Sequence, residues 1–230
     1  MNETEKNHRP IRSYVLRSGR MTTGQEQAFE QLWSIYGLNI EVGTQLKPEA
    51  LFANQCPIYL EIGFGDGEAL LETARNNPGN GYIGIEVHRP GVGHLLLKLE
   101  QEGVQNVRII SHDAMEILRH HLPPECLNGI MLFFPDPWHK KKHHKRRIVQ
   151  PEFAQLCAHL IKPDGILHMA TDWEHYAEQM MTVLSADESF ENIAGAGCFS
   201  PRPAARPLTK FERRGHRLGH GVWDLLFRRK

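Results

Sequence analysis

From residue 57 onward, short apolar runs alternate with stretches whose apolar positions recur at helical spacing. Ile58 to Ile62 reads as a strand that stops at a glycine cluster. Glu68 to Arg75 reads as a helix, broken at Asn76-Asn77-Pro78-Gly79. Tyr82 to Val87 is a second strand, followed by a helix from Gly91 to Glu102 that ends at Gly103. Val107 to Ile110 is a third strand, and Met115 to His121 a short helix stopped before Pro123-Pro124. Ile130 to Phe134 is almost wholly apolar, as a strand buried on both faces should be. A helix from Phe153 to Ile161, a strand from Gly165 to Ala170, a helix from Glu174 to Leu184 and a late strand from Val222 to Phe227 complete the pattern. Strands alternating with helices predict βαβ units in an α/β fold with a mostly parallel central sheet. Ligands of such sheets sit beyond the carboxyl ends of the strands, so chemistry is read there.

A chain of 230 residues can bury one large core. The expected division is a basic N-terminal arm with a lead-in helix over 1–50, and a main domain with its C-terminal segment over 51–230. No apolar run approaches a membrane span, and the polar stretch from Met1 to Arg20 has no signal-peptide core. A cytoplasmic protein is expected. Cys56, Cys126, Cys157 and Cys198 lie far apart without a CxxC pair, which favours reduced, buried thiols over a disulfide framework or zinc site.

The net charge of zero hides a segregation. Residues 1–20 carry a net +3, residues 140–147 a net +6 and residues 201–230 a net +7, which leaves −16 for the remainder. A small-molecule enzyme has no need of three basic blocks, whereas a protein that binds a polyanion does.

The first strand runs into Gly63-x-Gly65-x-Gly67, and such glycines let the backbone turn sharply near a ligand. A dinucleotide fingerprint would be GxGxxG, but Glu68 stands where its third glycine belongs. Glu61, Asp66 and Glu68 make the loop acidic, which repels a pyrophosphate and attracts an ammonium or sulfonium. S-adenosylmethionine carries both cations and no phosphate. Glu86 ends the second strand, 23 residues after Gly63, where an acid can accept from both ribose hydroxyls. Asp113, just past the third strand, can accept from the adenine amine and can also cap the following helix.

The fourth strand leads into Pro135-Asp136-Pro137-Trp138. Two prolines bracketing an aspartate stiffen the turn and hold the carboxylate in one place. Trp138 offers a face for a purine to stack on. Lys140 to Arg147 follows at once and reads as a landing strip for a phosphate backbone. His139, His143 and His144 lie among those cations without an acid or cysteine, so no metal is expected.

Taken together, the chain resembles the bacterial tRNA (guanine-N7-)-methyltransferase family, which modifies guanine 46 in the variable loop of tRNA. The resemblance rests on Ile11 to Arg17, Glu61 to Gly67, Gly84 to His88, Phe134 to Arg147, Ala170 to Trp173, Thr209 to Gly215 and Gly219 to Asp224. It implies a Rossmann-like class I S-adenosylmethionine-dependent methyltransferase fold. The sequence leaves the oligomeric state open between monomer and homodimer. It implies cofactor contacts at Glu61, Gly63, Gly65, Gly67, Glu86, Asp113 and Asp136, with Asp136 as the active-site residue. It also implies contacts to the RNA or its target base from Lys140, Lys142, His143, His144, Lys145, Arg146, Arg147, Asp172, Thr209, Lys210, Phe211 and Glu212. From the residues alone, Asp172 could instead cap the Glu174 helix, and Lys210 and Glu212 could form a surface ion pair. A methyltransferase acting on an exocyclic base amine also remains open at this point, as does a non-catalytic RNA-binding protein with a methyltransferase fold. A small-molecule methyltransferase leaves the basic blocks unexplained, and a nicotinamide-dependent oxidoreductase does not fit the glycine spacing.

Overall fold

The computed structural model describes residues 11–15, 19–53, 55–209, 212 and 221–230. Seven strands form one sheet: β1 Ile58–Ile62, β2 Gly81–Ile85, β3 Val107–Ile110, β4 Leu127–Phe133, β5 Ile161–Thr171, β6 Phe190–Asn192 and β7 Trp223–Arg229. Their order is β3-β2-β1-β4-β5-β7-β6. The pairs β3–β2, β2–β1, β1–β4 and β4–β5 are parallel, and β7 runs antiparallel to both β5 and β6. The expected parallel α/β core is therefore present, with an antiparallel edge.

Helices α1 Thr23–Tyr36, α2 Glu68–Asn76 and α3 Arg89–Glu102 cover one face, and α4 Ala114–His120, α5 Pro151–Leu160 and α6 Glu174–Ser185 cover the other. The period of 2 along β1 divides its side chains between the two layers. Ile58, Leu60 and Ile62 enter the core with α4 to α6, while Tyr59 packs toward α1 to α3. All five residues of β2 are buried, as a strand covered on both faces requires. The lead-in helix α1 begins with a capping box at Thr22 and Gln25 and packs on α3. Just after it, the Leu38 N–H bonds the Ile109 carbonyl at the sheet edge.

Two strands differ from expectation. β5 starts at Ile161, four residues early, and continues through Pro163-Asp164-Gly165, whose composition reads as a turn; its pairing with β4 is irregular there. β6 was not anticipated, because three residues cannot show an alternation. Sheet growth reverses between β1 and β4, so the crevice lies at their carboxyl ends.

All four cysteines are free thiols. Burial pushes Cys126 up to about 12 and holds Cys157 well above the ordinary thiol range. Cys198 is exposed and Cys56 half-buried, so the expectation of buried thiols holds for two of the four.

Candidate functional site

β1 delivers Glu61 into the crevice with only 3% of its surface exposed. Burial, then the charges of Glu86 and Asp66, push its carboxyl up to about 8. Its Oε2 has no hydrogen-bond partner among the described residues. A buried, unsatisfied acid is costly, and a cation at that oxygen would remove the cost. Glu86, at the end of β2, accepts from the backbone N–H groups of Gly65 at 2.8 Å, Val87 at 2.7 Å and His88 at 2.9 Å. It thereby ties the glycine loop to the β2 terminus and keeps spare acceptor capacity for a further donor.

The loop turns through left-handed backbone at Gly63, Gly65 and Gly67, with φ of 70°, 63° and 80°. A Cβ at Gly63 or Gly65 would meet nothing within 4 Å, so the loop borders open space. At Gly91, by contrast, a Cβ would sit 1.9 Å from the Gly65 carbonyl oxygen, so the start of α3 is wedged directly against the loop. Asp113 follows β3 and caps α4 through the Met115 N–H at 2.9 Å. Tyr14 lies beside it, and burial followed by the Asp113 charge raises the Tyr14 pKa. These groups suit a ligand with cations and hydroxyls and no phosphate.

At the end of β4 the chain makes the expected rigid turn, with a feature that composition did not reveal. Phe134 and Trp138, which bracket Pro135-Asp136-Pro137, both have positive φ, 51° and 46°. Bulky residues there cost about 1–3 kcal/mol each and persist only where the surroundings enforce them. The Phe134 N–H bonds the Ala170 carbonyl, and the Trp138 indole N–H donates to the Ser13 carbonyl at 3.1 Å. Asp136 itself is exposed. Asp172, beyond the adjacent end of β5, is half-buried, and Trp173 rather than Asp172 occupies the N-cap position of α6.

The basic run forms a 3-10 helix over Lys141–Arg146. Lys140, Lys141, Lys142 and Lys145 are exposed, and His143, His144 and Arg146 are half-buried. Partial burial and the neighbouring cations lower the pKa values of His143 and His144. Arg147 is a correction to the expected surface: it is 1% exposed. Its guanidinium donates to the Pro137 carbonyl at 2.8 Å and to Gln179 at 2.6 Å, and lies 3.2 Å from both His175 and His144. It braces the aspartate turn from beneath and is out of reach of a phosphate.

Glu212, expected at the RNA-contacting surface, is buried and pairs bidentately with Arg206, at 2.7 and 2.9 Å. Arg206 in turn binds Asp224 of β7 at 2.8 and 3.0 Å, and Asp224 meets His168 of β5 at 2.8 Å. Burial alone would lower the Arg206 pKa, but Glu212 and Asp224 outweigh it and raise it. Thr209 is half-buried and accepts from the Glu212 N–H at 3.2 Å. Lys210 and Phe211 lie outside the described residues. A basic block gives no sign of which of its cations folds inward, so Arg206 could not be singled out, and His168 is a lone histidine within the apolar part of strand β5, with no motif around it.

The family model described as "Putative methyltransferase" matches residues 55–225. A tRNA (guanine-N(7)-)-methyltransferase of Alcanivorax borkumensis is 55% identical over 228 residues, 99% of this chain and 95% of the relative. The chain belongs to the tRNA (guanine-N(7)-)-methyltransferase family. A member from Aeromonas hydrophila is 54% identical over 99% of this chain and 96% of its own length. Among solved structures, the 16S rRNA methyltransferase KamB aligns with a TM-score of 0.56 at 15% identity, covering 93% of this chain and 96% of that one. A 16S rRNA (adenine(1408)-N(1))-methyltransferase with its cosubstrate SAM aligns at 0.56 and 14% identity, covering 80% and 92%. At such identities these two establish the class I methyltransferase fold and nothing finer. No described helix is long and apolar enough to cross a membrane.

Proposed function

We propose that this protein transfers a methyl group from S-adenosylmethionine to N7 of guanine 46 in the variable loop of tRNA. The observation that carries the reading is the pairing of a buried, unsatisfied acid at Glu61 with an open aspartate turn beside exposed cations. Bound S-adenosylmethionine supplies the electrophilic methyl group. Glu61 holds the cationic end of the cofactor, the backbone at Gly63, Gly65 and Gly67 lets it approach closely, Glu86 takes the ribose hydroxyls and Asp113 the adenine amine.

Guanine N7 has a free lone pair, so no general base is needed. The protein has to align N7 with the methyl carbon and the leaving sulfur, and exclude water from the gap. Asp136 is a positioner in that scheme, and its charge suits a reaction that moves positive charge from sulfur to purine. Asp172 and Thr209 face the target base, with Lys210 and Phe211 in the same segment. Lys140, Lys142, His143, His144, Lys145 and Arg146 follow the RNA backbone. Arg147 and Glu212 support the site from within. Residues 1–50 act as an arm and lead-in to the domain of residues 51–230, and the cytoplasm is the working compartment.

The test is to incubate the protein with unmodified tRNA and methyl-labelled cofactor, digest the product and map it by mass spectrometry. The expected result is 7-methylguanosine at position 46. A label on an exocyclic amine, or no transfer, would overturn the proposal.

A further inference from the structure

The two tryptophans beside the reaction centre are placed in opposite ways. Trp138, the residue expected to stack on a purine, is already engaged. The Arg146 guanidinium lies over its ring at 4.8 Å, His143 meets it edge-on at 5.8 Å, and its indole N–H is held by Ser13. Trp173 is 38% exposed, one of the few large apolar side chains on the described surface. It directly follows Asp172 at the carboxyl end of β5, the strand paired with the one that ends at the aspartate turn.

Its local position is also unusual. Trp173 is the N-cap residue of α6 and makes no side-chain cap. Serine, threonine, aspartate and asparagine are favoured there, and a residue that cannot cap forgoes about 1 kcal/mol of helix stability. The backbone is nevertheless fixed, because the Trp173 N–H donates to the Thr171 hydroxyl at 3.2 Å and its carbonyl accepts from Tyr176 and Ala177. The indole ring also has a neighbour. The ring of His139, from the aspartate turn, meets it in a T-shaped contact with centroids 4.2 Å apart and planes at 73°. One T-shaped neighbour covers at most one face of the indole, and 38% of Trp173 stays exposed. A local choice that sacrifices a cap and exposes a large aromatic needs a compensating use.

We infer that Trp173 is the stacking surface for the guanine that receives the methyl group, with His139 as its buttress. This rests on the proposed reaction. A purine splayed out of the tRNA would lie on the indole, its polar edge toward Asp172 and its N7 toward the Asp136 turn. Stacking is tolerant of sequence but needs a flat ring.

The test compares the wild type with Trp173→Ala and Trp173→Phe, using unmodified tRNA and saturating cofactor in single turnovers. Trp173→Ala is expected to slow transfer about 10- to 100-fold, in line with the loss of one stacked base, and Trp173→Phe to stay within about threefold of wild type. Cofactor Kd and Tm should be unchanged in both. Binding to a tRNA made abasic at the target nucleotide should be equal for wild type and Trp173→Ala. An alanine variant within twofold of wild type, a phenylalanine variant as slow as alanine, or an affinity loss that persists with the abasic tRNA would each overturn the inference. Mapping the methylated atom in the wild-type product tests the proposed reaction separately. A product methylated elsewhere refutes that reaction, and the variant series still decides whether Trp173 stacks on the base.

Discussion

The two halves of the sheet's carboxyl edge hold their acids differently. On the β1–β2–β3 side the carboxylates are embedded: Glu61 is buried, Glu86 is held by three backbone N–H groups, and Asp113 caps a helix. On the β4–β5 side Asp136 is exposed and Asp172 half-buried, beside a run of exposed lysines. Under the proposed function, the size of the ligand accounts for the contrast. A small cofactor must be surrounded, so its site is built into the interior before binding. A tRNA brings its own surface and charge, so its site stays open and hydrated until it docks.

The largest effect should come from the open half. Asp136→Asn is expected to slow single-turnover methyl transfer on the order of 100- to 1,000-fold while cofactor affinity moves by less than tenfold. Nearly full transfer by the asparagine variant would remove Asp136 from the mechanism.

In the embedded half, Glu61→Gln should weaken cofactor binding on the order of 100-fold and leave tRNA affinity unchanged. The sign of its pH dependence follows from burial. Glu61 titrates at about 8 in the folded chain against an ordinary 4.5. The stability it contributes is therefore fully present below about 4.5 and is lost as pH rises through about 8. The Tm of the ligand-free protein should fall across that window, and Glu61→Gln should flatten the fall. A cofactor cation needs the ionised form, so binding at pH 7 should release close to one proton. Calorimetry in buffers of different ionisation enthalpy measures this, and zero release would show that Glu61 does not meet the cation.

The basic run separates exposed from buried charge within a few residues. Replacing Lys141, Lys142, Lys145 and Arg146 by alanine should weaken tRNA binding about 10- to 100-fold and reduce the slope of log K against log salt by roughly 3. Cofactor affinity should not move. Arg147→Met should do the reverse. It should leave the salt slope within about half a unit and lower Tm by about 5–10 °C, because buried partners such as the Pro137 carbonyl lose their donor. A slope change of a full unit for Arg147→Met would return that residue to the RNA surface.

Most of the fold was legible in the sequence. Strands such as Ile58–Ile62 and Val107–Ile110 and the helix beginning at Glu174 are where the periodicity places them. These segments are strongly patterned, so burial and propensity agree. The pattern failed where a strand was too short to alternate, at β6, and where turn residues lie inside a strand, at the start of β5. The glycine loop and its acids were legible because they belong to single strand ends. The chain pointed to Trp138 as the stacking face and not to Trp173, because Trp138 lies in the proline-stiffened turn, while Trp173 is only an aromatic after Asp172.

By itself, the sequence determined the succession of the strands and helices apart from β6, the acidic glycine loop, the stiff Asp136 turn and the family. Each is a local pattern of size, charge or backbone freedom. The tertiary structure alone decided which charges and rings face inward. Arg147 and Arg206 have the same chemistry as their exposed neighbours, and Glu212 is an ordinary acid in a basic segment. Only the packing of β5, β7 and α6 brings each within hydrogen-bond distance of buried partners, where burial makes an unpaired polar group too costly to leave.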